Sequence, residues 1–299
     1  MTTRFPQVDP RLPLELECLI FECAASQWTA KDSTVLLVVA KRVNAWVYPI
    51  IFRVFSQAEG SRFPNFEKYP SIKVEDVGKF ARHLLAGTRN LDLLLSFCPN
   101  VHNLALWYGV SLSEHLGAIR NLHLTRFSAT FLDIALKELL LGPAFSYLTH
   151  LEILSLDPRT RESLPDQCSV IADIPKLSHL SIPVENADLV PSCLLQCRNL
   201  HVLILSSDRD DFRIRKHEDF SGIKDGRLVL MLSDYYVESE MDWINGAKGK
   251  VDSWITADLY VLARKSNFLR SSSRTWITSP FNWGELLNSE GKVWYSTLA

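Results

Sequence analysis

Along residues 12–23 apolar side chains recur at Leu12, Leu16, Leu19, Ile20 and Cys23. That is the i, i+4, i+7, i+8, i+11 spacing of one helix face. Pro13 suits the first turn of such a helix, where its missing N–H costs nothing. After a polar gap from Ser26 to Ser33, a second stripe at helical spacing runs through Leu36, Val39, Val43, Trp46 and Ile50. Lys41, Arg42 and Asn44 mark its wet side, and Asp32, Ser33 or Thr34 can cap it. Pro49 is expected to kink or restart the helix before Ile51–Val54. Residues 56–73, with Gly60, Pro64 and Pro70, read as an irregular connection. Val77, Phe80, Ala81, Leu84 and Leu85 predict a helix that Gly87 ends. A short helix over Leu91–Phe97 follows.

From residue 101 the period changes. The template L-x-x-L-x-L fits Val101/Leu104/Leu106, Ile119/Leu122/Leu124, Leu151/Leu154/Leu156, Leu177/Leu180/Ile182 and Leu200/Leu203/Leu205. The starts are 18, 32, 26 and 23 residues apart. Leucine-rich repeats carry this core at a period of about 20–29 residues. Intervening pieces such as Leu132–Leu141 have helical periodicity. The pattern therefore predicts a strand and a helix per repeat, each covering its neighbour's apolar face. Leu122, Leu154, Leu180 and Leu203 should then lie in register on adjacent parallel strands. The asparagine that usually follows the strand is absent and the period is irregular, so another parallel α/β layer fold remains an alternative. Leu228–Leu232 is the last strand-like run, and about 233–270 reads as a helical cap.

The N-terminal residues carry a resemblance. Leu12-Pro13-Leu14-Glu15-Leu16, Ile20-Phe21, Leu36 through Val43, Trp46 and Ile50–Phe52 resemble an F-box. That family's pattern opens on Leu-Pro and an acidic residue, continues with an Ile/Leu-Phe pair, and closes on a valine-cysteine-lysine … tryptophan half. Ala40 stands where the family has its cysteine. The segment covers about 45 residues, and the whole chain resembles the F-box-like proteins abundant in mushroom-forming fungi. The resemblance implies that Leu12, Pro13, Leu16, Ile20, Phe21, Val39, Val43 and Trp46 divide between a local core and an apolar contact with the Skp-family linker of a cullin–RING ubiquitin ligase. The repeats would present a protein substrate, and the chain itself would do no covalent chemistry. The expected fold class is α/β, in three parts. Residues 8–56 form an F-box-like helical segment, 57–232 an irregular leucine-rich-repeat array with parallel strands, and 233–299 a helical C-terminal cap with an aromatic tail.

Composition narrows the functional classes. The 299 residues are 47% hydrophobic and 22% charged, ordinary for a globular chain. Lys plus Arg is 32 against 34 for Asp plus Glu, so the basic excess of a nonspecific nucleic-acid binder is missing. The longest aliphatic run, Val35–Ala40, is six residues, whereas a membrane span needs about 20. No apolar h-region stands in the first ten residues. The expectation is a cytoplasmic or nuclear protein, without nucleic-acid or membrane partners and without cofactors. The six cysteines are expected to be reduced, packed thiols.

Candidate chemistry is sparse. Gly246-Ala247-Lys248-Gly249-Lys250 lacks the phosphate-loop spacing and reads as a turn between helices. No G-x-S-x-G elbow and no H-E-x-x-H helix occurs in the sequence. His102, His123, His150, His179 and His201 fall at different template positions, which argues against a histidine ladder holding a metal. The mixed charges from Asp208 to Lys216 read as a solvated loop. What remains is the second sheet face, which alternation assigns to the residues between template leucines. Trp107, Asn121, His123, His179, Val202 and Ile204 are its candidate substrate contacts. Around Val202 and Ile204 the face turns aliphatic, and two covers compete: a substrate, or the tail with Trp276, Phe281, Trp283 and Trp294. Four large aromatics in one tail favour the tail. An adaptor is the first functional reading; a repeat scaffold without a ubiquitin role is the second, and an α/β enzyme a distant third.

Overall fold

The computed structural model describes residues 12–28, 30–57, 62–87, 90–107, 109–131, 137, 140, 142–156, 164–208, 220–233, 237–270, 276–277 and 283–298. Its centre is an eight-stranded parallel sheet whose spatial order follows the chain order without a crossover. The strands are β1 (Val54–Ser56), β2 (His83–Ala86), β3 (Asn103–Leu106), β4 (Arg126–Phe131), β5 (His150–Leu156), β6 (His179–Pro183), β7 (Val202–Asp208) and β8 (Leu228–Ser233). Helices α1 (Leu14–Gln27), α2 (Ala30–Ser33) and α3 (Lys41–Ile51) precede the sheet. Between strands run α4 (Val74–Val77), α5 (Leu91–Phe97), α6 (Leu112–Ile119), α7 (Leu164–Ala172) and α8 (Val190–Gln196). After β8 come α9 (Val237–Ala247), α10 (Ser253–Lys265) and α11 (Ser289–Ser296).

One row of side chains crosses all eight strands. Phe55, Leu84, Leu104, Phe127, Leu151, Leu180, Leu203 and Leu228 are successive Cα partners. All are buried and belong to one core, which the interstrand helices line with Leu91, Leu95, Leu112, Ile119, Ile171, Val190 and Leu194. The rungs are spaced by as few as 20 residues, Leu84 to Leu104, and as many as 29, Phe55 to Leu84 and Leu151 to Leu180. The irregular period is thus absorbed in the connections while the rungs stay aligned. Strand entries are tied to one another as well. The hydroxyls of Thr125, Thr149 and Ser178 donate to the carbonyls of His102, Thr125 and Thr149 at 3.1, 2.9 and 3.2 Å. Each of these carbonyls also accepts two backbone N–H bonds from the next strand's entry, so the hydroxyl adds a third tie at the same point.

The register corrects two of the five sequence frames. Leu180 and Leu203 are paired as expected. Leu122, however, is buried ahead of β4, and Phe127 takes the rung. Leu154 is the residue a β-bulge skips between Ile153 and Ser155, and Leu151 takes the rung. At β5 the overlapping pattern Leu148/Leu151/Ile153, three residues away, matches the template equally well; at β4 the rung frame Leu124/Phe127/Ala129, five residues away, matches it less well than the leucines ahead of it. Ile153, assigned by sequence to the second face, therefore lies in the core.

β2 was hidden in a predicted helix, and β1 at the join between a predicted helix and the connection after it. Leu84 and Leu85 are both fully buried, on opposite faces of β2, and a strand covered on both sides shows no alternation. Only Val74–Val77 and a 3-10 turn at Gly78–Phe80 remain of the helix expected there, whereas α5 matches its expected bounds. Pro49 does not restart a helix, since α3 continues to Ile51. The break comes earlier: a 3-10 turn spans Thr34–Val38, and Ala40 is extended before α3. Its β-branched run, Thr34-Val35 with Val38-Val39, is a weak helix former. Phe63, Phe66 and Ile72 of the expected connection pack on the core. Most of the helix expected over Leu132–Leu141, most of the Asp208–Lys216 charge run and Phe281 lie outside the described residues.

Leu180→Ala and Leu203→Ala should each lower stability by about 2–5 kcal/mol, because each leaves a cavity in the row. Asn121→Ala, on an exposed turn, should cost under about 0.5 kcal/mol. Urea denaturation of the three variants checks both figures.

Candidate docking surfaces

Two surfaces could meet a partner: the outer side of the N-terminal helices and the sheet's second face. On α1 the side that packs inward carries Phe21, Ala24 and Ala25. Glu17 anchors this side by accepting two hydrogen bonds from Arg42 Nε at 3.2 and 3.1 Å and one from its terminal nitrogen at 2.8 Å. Ser33 donates to the Ala25 carbonyl at 3.2 Å. The apolar stripe read from the sequence lies beside that inward face. Leu16 is 48% exposed, Leu19 55% and Ile20 54%, and Leu12, Pro13 and Cys23 are exposed too. Val35, Val38 and Val39 are likewise exposed on the turn before α3. A shallow depression between Leu14, Leu16 and Leu19 has Trp46 as part of its wall. Of the eight residues expected at a linker contact, Leu12, Pro13, Leu16, Ile20 and Val39 are open to solvent. Phe21 and Trp46 are half-buried against the core, and Val43 is fully buried within it. Val43 therefore falls on the core side of the expected division.

The second sheet face is closed by the chain itself. Ser56, Leu85, Ala105, Ser128, Glu152, Ser181, Ile204 and Val229 form its register row. At the late end Val202, Ile204, Val229 and Met231 pack with Ala257, Tyr260 and Val261 of α10 and with Ile277, Trp283 and Leu287 of the tail. In the middle Trp254 stands edge-on to His150 and His179, at ring-centroid distances of 5.2 and 5.9 Å. His179 bonds Asp258 of α10 at 3.1 Å. At the early end Trp243 of α9 packs on Leu85, Ala105 and Trp107. There Ser56 of β1 also donates to Glu240 at 3.2 Å. The helices expected to hide the last strand thus run back across the sheet as far as the first. Of the candidate substrate contacts, Trp107, His179, Val202 and Ile204 are buried beneath them. Asn121 and His123 lie outside the strands, on the exposed turn before β4, with Tyr147 beside His123 at 6.4 Å.

Between the sheet and these helices remains a cavity of about 90 Å³. It holds three carboxyls. Asp252 caps α10 by accepting from Ile255 N at 2.8 Å and pairs with Arg126 of β4 at 3.1 Å. Asp242 of α9 accepts from Ser253 N at 2.9 and 3.1 Å. Glu152 of β5 accepts from Ser128 at 2.6 Å, and Trp107 Nε1 donates to the same Ser128 at 3.1 Å. Of the three, the Arg126 guanidinium pairs with Asp252 alone, and the other two acids accept from Ser253 N and Ser128. Burial first, with Asp252 and Glu152 adding repulsion, lifts Asp242 to about 7; burial also raises Glu152. The turn that aligns the caps is tight. A Cβ on Gly246 would overlap the Asp252 carboxylate, and Gly249 sits at φ +73°, so the Gly246–Lys250 run is a helix–helix turn.

The corrected frame also aligns histidines that the first frame separated. His83, His150 and His179 occupy one register row, broken by Asn103 and Arg126. The His150 and His179 rings stack at 4.1 Å with 7° between their planes. Burial, with a cationic neighbourhood, lowers His83 to about 3 and His150 to about 2, so both are neutral at physiological pH. Among the described residues no group of three or more His, Cys, Asp or Glu is arranged to hold a metal, and no helix is long and apolar enough to cross a membrane. No family model and no curated protein matches this chain.

The acid cluster sets a pH signature. Asp242 titrates higher in the folded chain than its ordinary 3.8, so its contribution is full below about pH 4 and is lost as pH rises to about 7. His83 and His150 act oppositely, losing stability as pH falls below about 6.5. The difference between wild type and Asp242→Asn isolates the acid. Asp242→Asn should gain on wild type between pH 4 and pH 7 and run parallel to it above, as read by urea titrations at each pH.

Proposed function

We propose that this chain is a non-catalytic adaptor whose N-terminal helices dock the Skp-family linker of a cullin–RING ubiquitin ligase. The observation that carries the reading is the uncovered apolar stripe of α1. Leu12, Leu14, Leu16, Leu19 and Ile20 are all near half exposed, with Val35, Val38 and Val39 following on the next turn. Scattered exposed aliphatics are ordinary, but this density within thirty residues marks a surface kept for a partner. A helix that lays apolar residues at i, i+3, i+4 and i+7 into a groove is a recurring mode of recognition. The F-box resemblance of these same residues supplies the identity of the partner.

In this proposal the sheet is an irregular leucine-rich-repeat array. The alignment of its rungs and a strand order that never reverses support that reading. The protein substrate does not use the strand face, which α9 and α10 occupy. Substrate contacts fall instead on the turns ahead of the strands, where Asn121, His123 and Tyr147 are exposed and Lys176 lies over the Tyr147 ring at 4.2 Å.

The test is binding of purified chain to a purified Skp-family linker by calorimetry. Leu12→Ala with Pro13→Ala, and separately Ile20→Ala, should each weaken binding roughly tenfold or more, since truncated anchors of this kind cost over about 1.4 kcal/mol. The unfolding midpoint should be unchanged, because all three side chains are exposed. Absence of binding by wild type, or variants as tight as wild type, refutes the adaptor reading and leaves a repeat scaffold without a ubiquitin role.

A further inference from the structure

Three thiols meet beneath the helices that flank β6. Cys168 of α7 and Cys193 of α8 are fully buried with their sulfurs 3.2 Å apart. That is closer than the roughly 3.5–4.0 Å of ordinary nonbonded contact. Cys168 also faces the Leu189 carbonyl at 3.7 Å, which holds its side chain toward the start of α8. Cys197, at the end of α8, is buried beside Cys193. The other three cysteines have no such arrangement. Cys98 is buried alone, and burial lifts it to about 12. Cys18 and Cys23 lie five residues apart on α1, beyond the Cα separation of about 7 Å that a disulfide tolerates.

We propose that Cys168 and Cys193 form a reversible dithiol–disulfide pair, closed by hydrogen peroxide and reopened by a small dithiol. The Cys168 thiolate attacks one peroxide oxygen, the O–O bond breaks, and the departing hydroxide takes up a proton as water. The Cys193 sulfur then attacks the Cys168 sulfenic acid. The S–O bond breaks, and a second water leaves with the Cys193 proton. The two thiols lose two electrons and two protons, and one peroxide becomes two waters. Closing the bond to about 2.05 Å asks the sulfurs to approach by about 1 Å. Cys193, buried and hydrogen-bonded to both Cys168 and Cys197, is held as the thiol, so the attacking role falls to Cys168. Access is short: Leu195, two residues from Cys193, is 79% exposed, so a single helix layer separates the pair from solvent. A peroxide molecule, close to water in size, enters when that layer opens locally. The closed bond staples α7 to α8 across a loop of 25 residues.

The test treats the native full-length chain with peroxide, removes the peroxide, unfolds the chain in guanidinium with N-ethylmaleimide so that every remaining thiol is blocked, and maps the unreduced digest by mass spectrometry. The expected result is a linked peptide pair carrying Cys168 and Cys193, lost on dithiothreitol treatment, with Cys98 alkylated. The melting temperature should rise by roughly 5 °C and fall back on reduction. In Cys193→Ala the link to Cys168 should vanish. The proposal is overturned if Cys168 and Cys193 are both alkylated once exposed Cys23 is oxidised. A link that forms only in urea, or joins Cys193 to Cys197 instead, overturns it as well. The wild-type map decides the matter even if the variant does not fold.

Discussion

Parallel strands need cover on both faces, because neither face of such a sheet tolerates water for long stretches of Leu, Ile and Val. In this chain one face is met by the row from Phe55 to Leu228 and the interstrand helices packed on it. The row holds because every rung contributes one large side chain at one height, whatever the length of its connection. The second face is harder to cover. Its own row mixes Leu85, Ile204 and Val229 with Ser56, Ser128, Glu152 and Ser181. A purely apolar cover would strand those polar groups, so the C-terminal helices bring both kinds of contact. Tyr260, Trp283 and Trp243 meet the apolar ends, while Asp252, Asp258 and Glu240 meet Arg126, His179 and Ser56.

That arrangement explains where an interaction surface is left. The second sheet face, covered by α9, α10 and the tail, is used up inside the molecule. The N-terminal helices are anchored through Phe21, Ala25, Val43, Val47 and the Glu17–Arg42 pair, and keep an adjacent apolar stripe outside. The stability of the fold and the availability of the stripe are therefore separable: the side chains that hold α1 and those it presents are different residues of the same helix.

Much of this was legible in the sequence, in proportion to how local the deciding physics is. α5 and the strands around Leu104, Leu180, Leu203 and Leu228 were found because one template or one apolar run fits each of them. β1 and β2 were missed because doubly buried strands such as Leu84-Leu85 carry no alternation. Leu154 was misplaced because leucines at two offsets compete for the template, and Leu122 because the true rung, Phe127 with Ala129 after it, departs from the leucine pattern; only pairing with neighbours decides either case. The α1 stripe was read correctly as a helix face, yet periodicity cannot say whether the chain or a partner covers it. The cover on Val202 and Ile204 was expected from the tail's aromatics. Its reach to β1 was not, since the Trp243, Glu240 and Arg126–Asp252 contacts join residues more than a hundred positions apart.

Carbene footprinting of the full chain in solution weighs both halves of the account at once: a sheet face closed by its own C-terminal segment and an α1 stripe left open. Heavy labelling of Leu16, Leu19 and Ile20 together with protection of Val202, Ile204 and Val229 is the predicted pattern. Labelling of Val202, Ile204 and Val229 as heavy as that of the α1 leucines would contradict it.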